Sequence, residues 1–437
     1  MANVYYFYFA ENSKYLWHLS IFGAIIIKTH TIISIITSIK RGNIMVNKIN
    51  ELCEKYYSNI VDIRHELHRN PEVGYAEFKT SKLVADILKN LGIEVQTNVA
   101  KTGVIGLIKG KYTGKTILLR ADMDALRVNE ETDVEFKSQV PGVMHACGHD
   151  GHTASLLGAA MILNELKDEL HGNVKLMFQP DEEITGGALP MIEEGILENP
   201  KVDAAVGGHL WGGLKTGTVG VKHGPMMASP DIFNIKVIGK GGHGGVPQNS
   251  IDPIPILCQI VNTLQTIVSR KNNPVTPLVI SCCHLKAGNL DCHNAIPTEA
   301  IVGGTVRTFD EETRLFAEKT IEDIVKGITT CQGATYEYEY IRQFPPLIND
   351  NYMTDLATSS IAKVIGDKNV FELKEPSMGG EDFAYLAKNV PATFVFVGIA
   401  EDEKNPILHH NSKFAWDDEN MKVLCKSLCQ VALDYLN

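Results

Sequence analysis

The chain has 437 residues, 44% hydrophobic and 21% charged, with a net charge of -11. That length calls for two domains with ample apolar material for cores. The acidity argues against nucleic acid or an anionic membrane as partner, since both call for a basic patch. Nine cysteines without regular spacing fit reduced thiols in a cytosol better than a disulfide framework, so a cytoplasmic location is expected.

In residues 1–44, the stretch Leu16–Ile39 is largely apolar but carries Lys28 and His30 near its middle. A charge there costs a membrane span on the order of 3 kcal/mol. No small-residue cleavage site follows, and Lys40-Arg41 comes after the apolar run rather than before it. A signal anchor is the alternative. A non-domain extension is the preferred reading, with Met45 opening the globular part.

From Lys48 to Leu91 the pattern is helical, with Ile49, Leu52, Cys53, Tyr56 and Ile60 at the three-and-four spacing of a buried face. Pro71 ends the first helix, and a second covers Phe78–Leu91 until Gly92 stops it. Strands are expected over Gly103–Ile108 and Thr116–Leu119, the latter leading into Arg120-Ala121-Asp122-Met123-Asp124. Asp122 and Asp124 thus sit just past a strand's C-terminal end, where open α/β sheets place ligands. They can orient metal ligands there, although a helix cap or a turn former explains such aspartates equally well.

The stretch Met144-His145-Ala146-Cys147-Gly148-His149-Asp150-Gly151-His152 holds three histidines, a cysteine and an aspartate among small residues. Imidazole, thiolate and carboxylate can each donate a lone pair to a divalent metal, and glycines let the backbone turn so that such groups converge. A scatter of His and Cys on a loop is the bland alternative. A helix over Thr153–Leu166 follows. Next, the strand Val174–Phe178 opens into Gln179-Pro180-Asp181-Glu182-Glu183, and an apolar strand delivers His209 within Val206-Gly207-Gly208-His209-Leu210-Trp211.

Around Ser229 the character changes. A strand over Asp231–Gly239 ends in Lys240-Gly241-Gly242-His243. A helix over Asp252–Arg270, strands at Leu278–Leu285 and Ala300–Phe309, a helix over Glu311–Gln332 and a strand at Thr335–Ile341 follow. The order β-α-β-β-α-β is that of a ferredoxin-like split unit, a natural inserted domain. Pro345-Pro346 marks the return, completed by the strand Thr393–Val397 and a helix from Asp418. Cys282-Cys283-His284 resembles a zinc cluster, but consecutive strand residues alternate between faces and cannot all converge on one ion.

Ligand types delivered near strand ends are Cys147, His149, Glu182, Glu183, His209 and His410. Five or six such groups exceed one tetrahedral zinc and suit two metals sharing ligands, with one acid left over as a base.

Six motifs in order carry a resemblance. They are His145-Ala-Cys-Gly-His149-Asp, Gln179-Pro-Asp-Glu-Glu183, Gly239-Lys-Gly-Gly-His243, Asn294-Ala-Ile-Pro297, Gly304-Thr-Val-Arg307 and Met378-Gly-Gly-Glu-Asp-Phe383. From about Asn47 to the C-terminus the chain resembles the M20 metallopeptidase family, in its branch of hippurate hydrolases, auxin-conjugate hydrolases and N-acyl-amino-acid deacylases. The implied fold class is α/β with two domains: a mixed-sheet dinuclear-metal catalytic domain with helices on both faces, and an inserted ferredoxin-like α+β lid and dimerisation domain. The implied boundaries are 1–44 for the extension, 45–228 and 342–437 for the catalytic domain, and 229–341 for the lid.

The resemblance implies Cys147, His149, Glu183, His209 and His410 as ligands of two divalent ions, Zn or Mn, with Co or Ni also suited to a thiolate. His410, not His409, has the family's spacing to Phe414. Glu182 matches the general base, and His243 the lid histidine that reaches a partner subunit's site and steadies the oxyanion. Asn294 and Arg307 match positions holding a substrate carboxylate. Asp122, Asp124 and Asp150 are read as partners orienting the ligand imidazoles. The implied activity is hydrolysis of N-acyl amino acids by a homodimer. A dipeptidase or carboxypeptidase is the nearest alternative, and a silent binding protein a more distant one. The chain departs from the family pattern at Asp181, where Ala is usual and charge is added near the metals, at Gln248 for His, and at Arg127 for Pro.

Overall fold

The computed structural model describes residue 42 and residues 44–437. The chain divides into compact units after Glu54, and the fold below is that of Lys55–Asn437. The apolar stretch Leu16–Ile39 lies outside the described residues. Within them, no helix is long and apolar enough to cross a membrane.

In chain order, a helix over 44–69 (α1) precedes α2 (Phe78–Asn90), β1 (Glu94–Val99), β2 (Gly103–Lys109) and β3 (Tyr112–Asp122). Then come α3 (His149–Glu165), β4 (His171–Gln179), α4 (Ala188–Glu193), β5 (Ala204–Lys215), β6 (Val219–Val221) and β7 (Gly224–Met227). The next stretch holds β8 (Ser229–Ile238), β9 (Gly242–His243), α5 (Pro253–Thr266), β10 (Leu278–Ala287), β11 (Ala295–Ile296), β12 (Glu299–Thr308), α6 (Glu311–Cys331) and β13 (Thr335–Ile341). The chain closes with β14 (Leu347–Asn349), α7 (Asn351–Ile365), β15 (Val370–Glu372), α8 (Ala384–Asn389), β16 (Ala392–Ala400) and α9 (Asn420–Leu436).

The large sheet is mixed and runs β1-β2-β4-β3-β5-β16-β6-β15. Its centre is parallel, β4 with β3, β3 with β5, and β5 with β16. Strands covered on both faces read as continuous apolar runs, and β16 is buried along its whole length. Helices lie on both faces. In β5, Gly207 faces Phe383 and Phe394, whereas its neighbour Gly208 faces Leu424 of α9. Met191 of α4 and Ala384 and Leu386 of α8 join Leu118, Met177 and Phe394 in one cluster. Edge strand β1 has no apolar run because exposed polar groups, Glu94, Gln96 and Asn98, take every second position.

A second sheet runs β10-β12-β8-β13 with every pair antiparallel. Ile256, Leu257 and Ile260 of α5 and Ala317 and Ile321 of α6 build a separate core with Phe233, Ile235 and Val302. The register shifts between Cys282 and His284, so Cys283 is the extra residue of a bulge. Cys282 packs toward the core while Cys283 and His284 are exposed, and none of the three joins a candidate metal group among the described residues.

Two element ends were misplaced by sequence pattern and both bear on the site. Helix α3 begins at His149 rather than Thr153, so this candidate ligand lies in the first helical turn. Gly148 precedes it at φ +92°, a conformation that L side chains rarely adopt. Likewise His209 is within β5, which continues to Lys215, rather than at a strand's end. Pairing of β5 with β3 stops at Gly207, which frees the flank of His209 toward the loop after β3.

Candidate metal centre

The loops at the C-terminal ends of β3 and β4 meet the start of α3 and the middle of β5 in one cluster. Cys147, His149 and His209 each bring a donor atom within 4.8 Å of the others, and so do Cys147, Glu183 and His410. The two triads share Cys147 and together hold all five sequence-derived ligands. His410 takes the left-handed backbone conformation (φ 64°), where histidine is enriched among non-glycine residues, and its N–H donates to Ala146 O at 2.8 Å. That bond ties its loop to the residue before Cys147.

The imidazoles are turned for coordination. His149 donates from Nδ1 to Asp124 Oδ1 at 3.1 Å, and its buried Nε2 has no hydrogen-bond partner. His209 donates from Nδ1 to Leu210 O at 2.8 Å, leaving Nε2 at 3.4 Å from Cys147 Sγ. A ligating histidine needs this arrangement, one nitrogen held by an acceptor and the other free. Asp124 also accepts from Glu183 N at 3.1 Å, so one carboxylate places two candidate ligands. The donor set therefore fits divalent ions.

Asp150 corrects the sequence-based expectation, and Asp122 meets it only in part, with its Oδ2 3.7 Å from His149 Nε2. Asp122 accepts from His152 Nδ1 at 2.7 Å, and His152 Nε2 accepts from Leu210 N at 2.9 Å. Both nitrogens of His152 are thereby used, which removes it as a ligand and leaves Asp122 one residue removed from His209. Asp150 holds His68 (2.8 Å) and Arg64 (3.2 Å), not a ligand imidazole. His145 is buried with neither ring nitrogen bonded, and burial pushes it down to about 3, so it is neutral. His409 donates to Leu210 O at 2.8 Å and packs against His209 and Phe414, while His410 Nε2 stands 3.2 Å from Glu183 Oε1.

Electrostatics call for cations. Burial, with Glu183 and Glu182 adding, pushes the Cys147 thiol well above its usual range. Burial would lower His149, yet Asp122, Asp124 and Glu183 raise it to about 10, the mark of a site rich in negative charge. Bound divalent ions would supply positive charge among these acids and let Cys147 ionise. Glu182 is raised well above the carboxylate range by burial and by Glu381, Glu183 and Asp382, against the pull of Arg120.

Arg120, Glu381 and Asp382 carried no role in the sequence reading. Arg120 binds Asp122 (2.7 Å), Glu381 (2.8 Å), Asp382 (3.0 Å) and the Gln179 side chain (2.8 Å), all buried. Burial raises Glu381 to about 8 and Asp382 to about 6 despite this guanidinium. A signal existed. An arginine in the apolar run Ile117-Leu118-Leu119-Arg120-Ala121 of a covered strand must be paired. Asp181 is also clarified. At φ 50° it caps Thr185, and its carboxylate fills the space where Gly74 would carry a Cβ, 1.7 Å from Oδ1. Aspartate tolerates this conformation better than the usual alanine.

His68 ties α1 to this region, bonding Asp150 and Glu130. Burial lowers its pKa, but Asp150 and Glu130 win and raise it to about 9. Its folded value exceeds the ordinary 6.5, so its contribution to stability is complete below pH 6.5 and disappears as pH rises through about 9. Denaturant unfolding of the protein and of His68→Asn should therefore differ by roughly 3 kcal/mol at pH 6 and converge near pH 10. Parallel curves would refute the pairing.

A cavity of about 600 Å³ opens beside the cluster, lined by Cys147, Glu182, Glu183, His209, His410 and Arg307 among others. A larger one of about 720 Å³ beside Pro345, Pro346 and Asn389 holds no candidate ligand, so chemistry rather than size selects the site. Arg307 donates to Met378 O (3.1 Å) and Thr305 Oγ1 (2.6 Å) at the cavity wall. His243 and Asn294 are exposed at the paired strands β9 and β11, and neither lines that cavity. They sit beyond the start of β12 while Arg307 is near its end, about 25 Å of strand away at ~3.3 Å per residue. Arg127 and Gln248 are exposed and also outside the cavity lining.

Residues 118–434 match the profile of peptidase family M20/M25/M40. The chain belongs to this family. It is 44% identical over 303 residues to the N-acyl-L-amino acid amidohydrolase of Geobacillus stearothermophilus, covering 69% of this chain and 81% of that protein. It is 41% identical over 398 residues to thermostable carboxypeptidase 2 of Saccharolobus solfataricus, covering 90% and 99%. The solved structure of Bacillus subtilis YXEP, described as a dinuclear metal binding peptidase from the M20 family, matches with a TM-score of 0.76 and 36% identity over 88% and 99% of the two chains. This M20 chain is a hydrolase of amide bonds.

Proposed function

We propose that this M20 hydrolase cleaves the amide of N-acyl amino acids, with two divalent ions held by Cys147, His149, Glu183, His209 and His410. The observation that carries the reading is the pair of triads sharing Cys147, with Glu182 grouped beside them with His149 and Glu183. Bound divalent ions would acidify a water and polarise the amide carbonyl. Glu182, whose pKa burial raises, takes the water's proton and returns it to the departing amine. Asp124 keeps His149 and Glu183 in place, and Arg307 offers its guanidinium to the substrate carboxylate.

His243 and Asn294 lie too far along β12 to serve the same chain's cavity, which supports a homodimer in which segment 229–341 is an inserted ferredoxin-like lid and His243 steadies the partner's oxyanion. Mixing inactive His243→Ala and Glu182→Gln proteins should then restore up to about a quarter of wild-type activity on subunit exchange, because one heterodimer site keeps both groups. Strict absence of rescue under proven exchange would leave the site within one chain.

The 41% identity to a carboxypeptidase favours a second reading in which the acyl part is itself an amino acid. Metal-loaded protein assayed on N-acetyl and N-benzoyl amino acids beside free dipeptides separates the two. Deacylation should dominate, and cleavage of dipeptides alone would reverse the assignment.

A further inference from the structure

Three of the candidate ligands have an apolar side chain as their near neighbour in sequence. Ile184 follows Glu183, Trp211 is two residues beyond His209 on the same face of β5, and Leu408 is two before His410. All three line the cavity. Ile184 and Leu408 are 50% and 53% exposed, so they are apolar surface left open beside the metal centre. Trp211 is fixed, stacked on Phe396 at 3.9 Å and 3° and flanked by His409 at 4.8 Å. A rigid indole and two open aliphatic side chains thus give apolar lining to one cavity large enough for a drug-sized molecule.

We infer that Ile184, Trp211 and Leu408 form the acyl subsite and select a bulky apolar acyl group, such as an aromatic one, over acetyl. This rests on the amidohydrolase reading above. With the carboxylate end directed to Arg307, the acyl group on the other side of the scissile bond meets this wall. An acetyl methyl covers little of it, whereas a ring removes much of its apolar surface from water. The three side chains touch the acyl group and determine specificity without taking part in bond cleavage.

The test compares N-benzoyl and N-acetyl derivatives of one amino acid with wild-type protein and with the Ile184→Ser/Leu408→Ser double variant. Both substitutions are at half-exposed positions, so folding should survive, and circular dichroism checks it. Wild type should prefer the benzoyl substrate by about 30-fold in kcat/KM, equivalent to about 2 kcal/mol. The double variant should lower that ratio to about threefold, chiefly through KM for the benzoyl substrate. Equal or better use of the acetyl substrate by wild type, or an unmoved ratio in the variant, would overturn the subsite alone. No hydrolysis of either substrate by metal-loaded wild type would overturn the amidohydrolase reading and the subsite with it.

Discussion

Cys147→Ala is expected to lower kcat by on the order of 10³-fold or more and to remove both metals from the purified protein. Its sulfur belongs to both ligand triads, whereas His209 and His410 each belong to one. Elemental analysis should therefore find the largest loss of metal in Cys147→Ala and a smaller one in His410→Ala, whose ring is exposed at the cavity. A Cys147→Ala protein that keeps two ions per chain would show that the thiol is not shared.

Glu182→Gln should behave differently. Glutamine keeps the size of the side chain and removes its ability to take a proton, so kcat should fall 10²- to 10⁴-fold on the scale of general-base catalysis, roughly. Metal content should stay at the wild-type level if Glu182 is the base and not a ligand, whereas a loss of metal would make it a ligand, since it stands within donor reach of His149 and Glu183. KM should change little, since Arg307 and the apolar wall are untouched. A kcat within threefold of wild type would require another base, and Glu381, at about 8 and adjacent in the same acidic group, would be the next residue to replace.

Much of the fold was legible because its centre is built from buried parallel strands, and the runs Thr116–Leu119, Val174–Phe178 and Thr393–Val397 all fall inside observed strands. Element ends were less legible. Helix α3 starts at His149 because Gly148 supplies a positive φ that hydrophobic periodicity does not register. Strand β5 runs through His209 because β16 continues to pair with it after β3 stops. In the site, donor chemistry was enough to nominate Cys147, His149, Glu182, Glu183, His209 and His410, and the family resemblance singled out the five without Glu182, which the structure brings together. The supporting shell was harder, since it depends on contacts between distant segments. Asp150 pairs with His68, 82 positions away, and Arg120 with Glu381, 261 positions away. Motif spacing cannot show which carboxylate meets which imidazole.

The central claim is that hydrolysis depends on a two-ion centre organised by Cys147. Metal titrated into chelator-stripped protein, followed by hydrolysis of an N-benzoyl amino acid, tests it most directly. Activity should be absent without metal and should reach its plateau at two equivalents per chain. Full activity in the stripped protein, or a plateau at one equivalent, would contradict the account.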